Sequence, residues 1–309
     1  MAIVLIRQDG KIASWKKAFQ AKSPGIIIYD YTEEHPKEAI SMAIVWKHPN
    51  GSLKAYPNLK CIASFGAGVD FIFEDPGLPE RVPVTRVIDP VLASDMSEFV
   101  LAQILSYLKH LKKYALEQEK RIWRPREYMR ISGTMVGIMG VGALGSVLAE
   151  DLKKLGFGVL GWASSKKDMS EIPMYAGEEE LPRFLSQITI LVCLLPLTPE
   201  TRGILNKKLF SRLPRGAFVI NVARGGHLVD EDLLEMLESG HLSGAAIDVF
   251  HKEPLPEDHP FWGNPAIHLS PHIASVSDQE SVIPQLLENY ERLINGKPLM
   301  NVVSREKGY

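Results

Sequence analysis

The sequence predicts an α/β protein made of two units, each built on a parallel β-sheet. Short apolar runs recur along the chain and alternate with longer polar or helical stretches, the pattern of repeated βα units. The runs are continuous rather than alternating, so their strands are expected to be buried on both faces. The length of 309 residues favours two domains.

The first unit is predicted to consist of residues 1–97 together with residues 276–309 at the end of the chain. Its predicted strands are Ala2–Ile6, Gly25–Tyr29, Ala43–Trp46 and Cys61–Ser64. A long helix is predicted to begin at Ser94, because Ser97 and Glu98 follow it and an apolar helical pattern comes next. The basic segment from Glu117 to Arg130 is predicted to be an exposed connection.

The second unit is predicted to span residues 98–275. Its predicted strands are Met135–Met139, Gly158–Trp162, Thr189–Leu195, Ala217–Val222, Gly244–Val249 and Ala266–Ser270. A final helix, Val282–Ile294, ends at Asn295-Gly296 and returns the chain to the first unit. The chain therefore crosses twice between two Rossmann-like or flavodoxin-like domains, which predicts a ligand-binding cleft between them.

The composition excludes several classes of function. Lys and Arg number 35 against 37 Asp and Glu, so the net charge of −2 predicts neither a nucleic-acid partner nor a membrane surface. Cys61 and Cys193 lie in apolar runs, which predicts buried thiols in a reducing compartment. The apolar start Ala2–Ile6 is too short for a signal peptide, and no unbroken run approaches the roughly 18 residues of a membrane helix. We expect a cytoplasmic protein.

A glycine turn is the first motif that carries chemistry. Gly140, Gly142 and Gly145 form a G-x-G-x-x-G pattern, which is weak evidence alone. Here a strand precedes it and an apolar helix pattern follows it, which is the setting of a dinucleotide site. Gly140 allows the sharp turn, Gly142 lets backbone approach a pyrophosphate, and Gly145 lets helix and strand pack closely. Ala143 and Leu144 begin the helix whose N–H groups would face the phosphates.

The strand after the turn indicates which dinucleotide binds. An acidic residue normally ends that strand and accepts the ribose 2′-OH of NAD. Here no carboxylate occurs before Asp168, and the positions hold two hydroxyls and two lysines: Ser164, Ser165, Lys166 and Lys167. These residue types suit a 2′-phosphate. The sequence therefore predicts a preference for NADP(H), with NAD(H) left open and a plain solvated basic loop as the alternative interpretation.

Three later strands end in unusual polar residues. Arg224 stands beside glycines, where an arginine can clamp a carboxylate. Asp248 and Glu253 follow the next apolar run, and His272 follows the one after that. Singly, each has a simpler interpretation: a surface arginine, a turn cap, a loop carboxylate or a core histidine. Together, in this order after the glycine turn, they indicate a nicotinamide-dependent oxidoreductase, and no motif requires a metal.

These motifs resemble the D-isomer-specific 2-hydroxyacid dehydrogenase family over the whole chain. The matching segments are Gly140–Gly145, Leu195–Thr201, Asn221–Gly225, Asp248–Pro254 and Ser270–Ile273. Within the family, the chain resembles the bacterial glyoxylate/hydroxypyruvate reductase A branch. That narrower resemblance rests on Val45–Pro49, Phe65–Asp70, Gly137–Gly140 and the ending Lys307–Tyr309.

The resemblance implies NADPH-dependent reduction of small 2-keto acids: glyoxylate to glycolate, and hydroxypyruvate to D-glycerate. It implies that Arg224 binds the substrate, that His272 is the general acid, and that Glu253 holds His272. It further implies substrate contacts from Trp46, Ala67 and Gly68, and cofactor contacts from Leu195, Pro196, Thr201, Val222, Ala223, Asp248 and Ala274. The family is usually dimeric, so a homodimer is expected, with the long segment after Glu98 suited to the interface.

Two departures from the family pattern leave alternatives open. Relatives often carry an arginine where Ala163 and Ser164 stand, so the NADP(H) prediction rests on the four residues that begin at Ser164. The segment 89–96 also differs, so the substrate is less well determined than the reaction. A D-lactate dehydrogenase or a short phosphoglycerate dehydrogenase remains open, and so does a dinucleotide-sensing binding protein. A formate dehydrogenase would carry Gln in place of Glu253.

Overall fold

The computed structural model describes residues 1–166, 168–169 and 171–309. It divides the chain into two compact units, Met1–Leu92 with Ser277–Tyr309 and Ala93–Val276. Each unit contains one β-sheet, and all pairings between the named strands are parallel. The predicted fold class, two α/β units with parallel sheets, is confirmed.

The strands, in chain order, are β1 Ala2–Arg7, β2 Ile28–Asp30, β3 Ile40–Trp46, β4 Cys61–Ser64, β5 Val84–Thr85, β6 Met135–Met139, β7 Gly158–Ala163, β8 Met174–Ala176, β9 Ile190–Cys193, β10 Ala217–Asn221, β11 Leu242–Ile247 and β12 Ile267–Leu269. The helices are α1 Ile12–Lys22, α2 Asp70–Phe73, α3 Pro90–Leu108, α4 Leu111–Glu119, α5 Ala143–Lys154, α6 Gly177–Leu185, α7 Lys207–Phe210, α8 Asp230–Glu238 and α9 Gln279–Ile294.

The first unit is a five-stranded sheet in the order β2-β1-β3-β4-β5. All six residues of β1 are buried, as its continuous apolar run predicts. Helix α9 begins three residues before the predicted Val282, because the Asp278 side chain caps it by accepting from Ser281 N at 3.0 Å. It ends where predicted, with Gly296 at a φ of 64°.

The second unit is a seven-stranded sheet in the order β12-β11-β10-β9-β6-β7-β8. The chain starts at β6, continues outward to β8, and then returns to the other side of β6 with β9. Alternate residues of β9 join different apolar clusters: Leu191 and Cys193 lie in one, and Ile190 and Val192 in the other. The sheet is therefore buried on both faces, and burial raises the pKa of the Cys193 thiol to about 12.

Helix α3 differs from its prediction in two ways. It starts at Pro90 rather than Ser94, because the Asp89 side chain accepts from Val91 N at 3.0 Å and proline fits the first helical position. It is also, by length and composition, apolar enough to cross a bilayer, although no unbroken apolar run suggested this. Four of its side chains pack in the core of the second unit: Met96, Val100, Ile104 and Leu108.

The boundaries and short elements also differ from expectation. The sequence predicts the first domain boundary at residues 97/98, whereas the units divide between Leu92 and Ala93, near the start of α3. Strands β5 and β8 were not predicted, because each directly follows a proline and neither lies in an apolar run longer than three residues. The segment after α4 is exposed as expected, and the Trp123 side chain is 96% exposed.

Candidate active site

The glycine turn between β6 and α5 has the close contacts that require glycine. Gly140 has a φ of 100°, and a Cβ there would lie 2.6 Å from the carbonyl carbon of Leu194. A Cβ at Gly145 would lie 2.3 Å from the carbonyl oxygen of Gly140, so α5 packs directly on the turn. A Cβ at Gly142 would meet nothing within 4 Å, which leaves open space beside the turn.

The start of α5 is suited to a phosphate. Gly142 is its N-cap, and no side chain caps the helix. The first turn carries no acidic residue, so the N–H groups near Ala143 and Leu144 face no competing carboxylate from that turn. With the open space at Gly142, these groups form a cradle for a pyrophosphate.

The residues after β7 are held next to the turn. Gly140 N donates to the Trp162 carbonyl oxygen at 2.9 Å, which joins the turn to the end of β7. Ser164, Ser165 and Lys166 follow immediately, and all three are exposed. They are available to a ligand that extends from the turn. The fourth predicted residue, Lys167, lies outside the described residues.

The loop after β9 lies against the other side of the turn, where the Gly140 position meets Leu194 and Leu195. Leu195 is buried. Thr201 Oγ1 donates to the Pro196 carbonyl oxygen at 2.7 Å and accepts from Thr198 N at 2.8 Å. The Thr201 hydroxyl therefore fixes the shape of this loop beside the predicted cofactor site.

Arg224 is held by a buried amide at the end of β10. Asn221 is fully buried; its Nδ2 donates to the Arg224 carbonyl oxygen at 3.0 Å, and its Oδ1 accepts from Ala223 N at 3.2 Å. These bonds fix the turn that contains Val222 and Ala223. The Arg224 guanidinium itself donates from Nη1 to the Ala223 carbonyl oxygen at 2.6 Å.

His272 and Glu253 form a direct pair. The Nδ1 atom of His272 lies 2.8 Å from Oε2 and 3.0 Å from Oε1 of Glu253. Phe250 N also donates to Glu253 Oε1 at 3.2 Å, which orients the carboxylate. The two side chains are 28% and 20% exposed, so the pair is shielded but still reachable from solvent. His272 adopts a φ of 52°, which is a left-handed backbone conformation. This conformation sets the direction in which the side chain leaves the backbone.

Asp248 holds the turn that carries His272. Its carboxylate accepts from Ile273 N at 3.0 Å and from Ala274 N at 2.9 Å, and its carbonyl oxygen accepts from His272 N at 2.8 Å. Asp248 is buried. It therefore caps the turn and fixes the left-handed backbone of His272 in place.

Close backbone packing places the turn that contains Arg224 (the arginine turn) against the loop that carries Glu253 (the Glu253 loop). A Cβ at Gly225 would lie 2.0 Å from the carbonyl carbon of Phe250, so only glycine permits this approach. Arg224, Glu253 and His272 thus follow β10, β11 and β12, which are adjacent strands in one sheet. The sequence predicted these residues at the ends of three different strands, and the structure places those strand ends next to one another at one edge of the sheet.

Comparisons with known proteins agree with this arrangement. The model of the D-isomer specific 2-hydroxyacid dehydrogenase NAD-binding domain matches residues 101–274. A glyoxylate/hydroxypyruvate reductase A from Yersinia enterocolitica is 35% identical over 314 residues and is matched over 100% of both chains. The one from Serratia proteamaculans is 40% identical over 272 residues, covering 86% of this chain and 87% of its own.

The chain belongs to the D-isomer specific 2-hydroxyacid dehydrogenase family. Two solved structures of the family superpose over the whole chain. A family member from Xanthobacter autotrophicus Py2, in complex with NADPH and MES, has a TM-score of 0.94 and 37% identity, covering 100% of this chain and 99% of its own. The NADPH-dependent glyoxylate/hydroxypyruvate reductase from Sinorhizobium meliloti, in complex with NADP and sulfate, has a TM-score of 0.92 and 36% identity, covering 100% of both chains. The predicted family and the predicted enzyme class are confirmed.

The remaining predicted residues of this dehydrogenase lie in the first unit. Trp46 ends β3, and Ala67 and Gly68 follow β4, the adjacent strand. The Ser64 hydroxyl donates to the Gly68 carbonyl oxygen at 2.8 Å and fixes the loop. Trp46 packs edge-to-face on Phe71 with ring centroids 5.4 Å apart. Their contact with substrate remains a prediction.

Two positions that matter for the site were missed in the sequence. Asn221 braces the arginine turn, and a polar amide at the end of an apolar strand is the signal that could have found it. His227 is fully buried, with Nδ1 3.2 Å from the Arg224 carbonyl oxygen and Nε2 3.2 Å from that of Pro196. Its signal is weaker, because a histidine three residues after an arginine is not unusual in a loop.

Proposed function

We propose that this dehydrogenase uses NADPH to reduce small 2-keto acids, converting glyoxylate to glycolate and hydroxypyruvate to D-glycerate. The observation that carries the proposal is the His272–Glu253 pair, which adjoins the Arg224 turn through the backbone contact at Gly225. Support comes from relatives named glyoxylate/hydroxypyruvate reductase A at 35–40% identity. The general reaction follows from the family, and these substrates are the proposal.

His272 acts as the general acid. Because Nδ1 of His272 is hydrogen-bonded to Glu253, Nε2 is the ring nitrogen that donates a proton to the keto oxygen of the substrate. The Glu253 carboxylate accepts from Nδ1 and fixes the plane of the ring. The bound nicotinamide supplies the hydride that reaches C2. The product is a 2-hydroxy acid, and His272 regains its proton from solvent.

Arg224 binds the carboxylate and the keto oxygen of the substrate. A guanidinium presents several donors in one plane, so it can contact both oxygens and polarise the carbonyl. Asn221 and Ala223 hold its backbone in position. In the first unit, Trp46 and the backbone N–H groups at Ala67 and Gly68 are the proposed contacts to the rest of the substrate.

The cofactor binds along the strand ends of the second unit. The glycine turn with Ala143 and Leu144 holds the pyrophosphate, and Ser164, Ser165 and Lys166, with Lys167, hold the 2′-phosphate. Leu195, Pro196, Thr201, Val222, Ala223, Asp248 and Ala274 are proposed to surround the nicotinamide end. Two structural relatives were solved with NADPH or NADP, which supports the preference.

A panel of short 2-keto acids assayed by loss of NADPH absorbance tests the substrate and the cofactor together. We expect glyoxylate and hydroxypyruvate to give the highest kcat/KM, with NADPH above NADH. Pyruvate or 3-phosphohydroxypyruvate as the best substrate would instead identify a D-lactate or phosphoglycerate enzyme. Cofactor binding without turnover of any keto acid would point to a sensor and remove the proposal.

The role of His272 has its own test. Replacement of His272 by Ala should lower kcat by at least about 100-fold, the lower end of the range for general acid catalysis, while the Kd for NADPH stays unchanged. Unchanged turnover would exclude His272 as the general acid. A change confined to NADPH binding would place it in the cofactor site instead.

We also propose that the protein is a cytoplasmic homodimer. The exposed apolar side chains of α4 and the segment after it, including Leu111, Trp123 and Tyr128, offer a surface that a second copy would cover. The buried thiols, with the pKa of Cys61 raised to about 12 by burial, are compatible with a reducing compartment. Light scattering at micromolar protein concentration should give twice the mass of 34.4 kDa, and a monomer mass would refute the dimer.

A further inference from the structure

The long loop between β11 and β12 carries Glu253, and a histidine on each side of Glu253 ties that loop to the start of α8. His251 Nε2 donates to the Leu228 carbonyl oxygen at 2.8 Å and lies 3.7 Å from Asp230 Oδ1. His259 Nε2 lies 3.3 Å from Asp230 Oδ2. One carboxylate therefore faces both histidines.

The hydrogen bonds of His259 define the direction of its contact with Asp230. His259 Nδ1 accepts from Phe261 N at 3.3 Å, so in the neutral ring the hydrogen is on Nε2. That Nε2–H points to Asp230 and donates to it. The His259 ring also packs edge-to-face on Phe261 at 4.5 Å, which restrains it further. His259 is therefore a fixed donor and Asp230 its acceptor.

Asp230 is well placed to act as an anchor. It is the first residue of α8, which follows directly from the segment that begins at Arg224 and Gly225. Its side chain is only 21% exposed. Burial raises the pKa of Asp230 above its ordinary value, whereas the charges of His251 and His259 and the His259 hydrogen bond act in the opposite direction.

We propose that Asp230 is a positioning residue that anchors His251 and His259 and thereby holds Glu253 against His272. The inference rests on the proposed roles of Glu253 and His272. The Glu253 loop touches the arginine segment at Gly225, through the backbone of Phe250. The Asp230 contacts extend that attachment to both sides of Glu253. Without them, the Glu253 carboxylate loses its fixed distance from His272.

The same helix turn offers a matched control. Glu231 is the neighbour of Asp230 in the first turn of α8, and its side chain is exposed. Glu231→Gln removes one carboxylate from the helix N-terminus, as Asp230→Asn does, so both variants lose the same favourable interaction with the helix dipole. Only Asp230→Asn removes the negative charge that faces the two histidines and replaces one of the two carboxylate oxygens by an NH₂ donor. The difference between the variants therefore reports the anchor.

Two kinds of measurement test the anchor. Hydrogen exchange of the peptide covering residues 250–262, in the protein without substrate, should be at least tenfold faster in Asp230→Asn than in Glu231→Gln. With NADPH and glyoxylate, kcat of Asp230→Asn should fall about tenfold, since small displacements of catalytic groups are costly.

A second pair of variants keeps the test decisive if Asp230→Asn folds poorly. Gln at position 259 retains an N–H donor, so His259→Gln should remain near the wild type, whereas His259→Phe should reproduce the loss of kcat. Equal exchange and equal kcat for Asp230→Asn and Glu231→Gln would overturn the inference. If the wild type reduces no keto acid, the proposed function fails, while the exchange measurement still decides whether Asp230 anchors the loop.

Discussion

Replacing Glu253 by Gln removes the charge beside His272 while keeping an oxygen that can accept from its Nδ1. The two side chains meet at 2.8 Å and 3.0 Å. Opposite charges about 4 Å apart attract by about 4 kcal/mol at the effective dielectric constant of a protein surface. The pair is 28% and 20% exposed, so we expect solvent to reduce that attraction to about 2 kcal/mol.

If the whole of that attraction acted on the proton-transfer step, its loss would correspond to a decrease in kcat of roughly 30-fold, which is the upper limit that we expect. In Glu253→Gln the His272 ring keeps an acceptor for its Nδ1 but loses the charge beside it, so we expect kcat to fall toward that limit. The assay is the initial rate of NADPH oxidation with saturating glyoxylate from pH 5 to 9. Glu257→Gln, which removes an exposed carboxylate from the same loop, is the control and should leave the profile unchanged.

Wild-type kcat in Glu253→Gln over the whole pH range would refute this reasoning. That result would show that the carboxylate contributes only an acceptor, which an amide oxygen can replace. A decrease in kcat in Glu257→Gln as large as that in Glu253→Gln would also contradict it, because the effect would then not belong to the pair with His272. Circular dichroism on each variant verifies that the fold is retained.

Three further predictions concern other parts of the second unit. Gly142→Ala should leave the Tm nearly unchanged but raise the Kd for NADPH at least tenfold in a fluorescence titration, whereas Gly140→Ala should prevent folding, because its Cβ would meet the Leu194 backbone at 2.6 Å. Lys166→Ala should lower the ratio of kcat/KM for NADPH over NADH about tenfold, and an unchanged ratio would remove it from the 2′-phosphate site. Burial, with Lys112, lowers the pKa of His268 from 6.5 to about 4. The unfolded chain therefore binds a proton that the folded one does not between those values, and stability is lost as pH falls through that window. The full pKa shift corresponds to about 3 kcal/mol of folding stability, and we expect about half of that for a ring that is partly exposed to solvent. In His268→Gln the urea concentration at the midpoint of unfolding should decrease less between pH 7 and pH 4 than it does in the wild type. An equal decrease in both proteins would contradict the assignment.

The sequence predicted the long strands of the sheets because burial on both faces produces continuous apolar runs. Strand β6 matches its predicted bounds, and β10 differs by one residue at its end. The short strands β5 and β8 were missed because each directly follows a proline, and neither lies in an apolar run longer than three residues. The start of α3 was misplaced because the Ser94 signal was preferred to the Asp89-Pro90 pair.

Residues of the candidate site could be recognised in the sequence where chemistry or backbone geometry demands a particular residue type. The glycines of the turn and the arginine, glutamate and histidine at strand ends are of this kind. The supporting contacts were not predictable, because they join residues far apart in the chain. Asp230 and His259 are separated by 29 positions, and their contact depends on how a loop folds back over a helix.

The order of the motifs along the chain follows from the topology of the second sheet. After β8 the chain returns to the centre, and β9, β10, β11 and β12 then lie side by side in sequence order. Loops that follow parallel strands all leave from the same edge, so residues that follow successive strands become neighbours in space. The glycine turn follows β6, next to β9, at the point where the direction of strand addition reverses. A cofactor held there would extend past the loops after β9 and β10 toward those after β11 and β12, where His272 and Glu253 are paired. The proposed cofactor site and the proposed proton donor are therefore placed by one property of the fold. Insertions after α6, which lies outside this row of loops, should disturb the reaction less than insertions after β11.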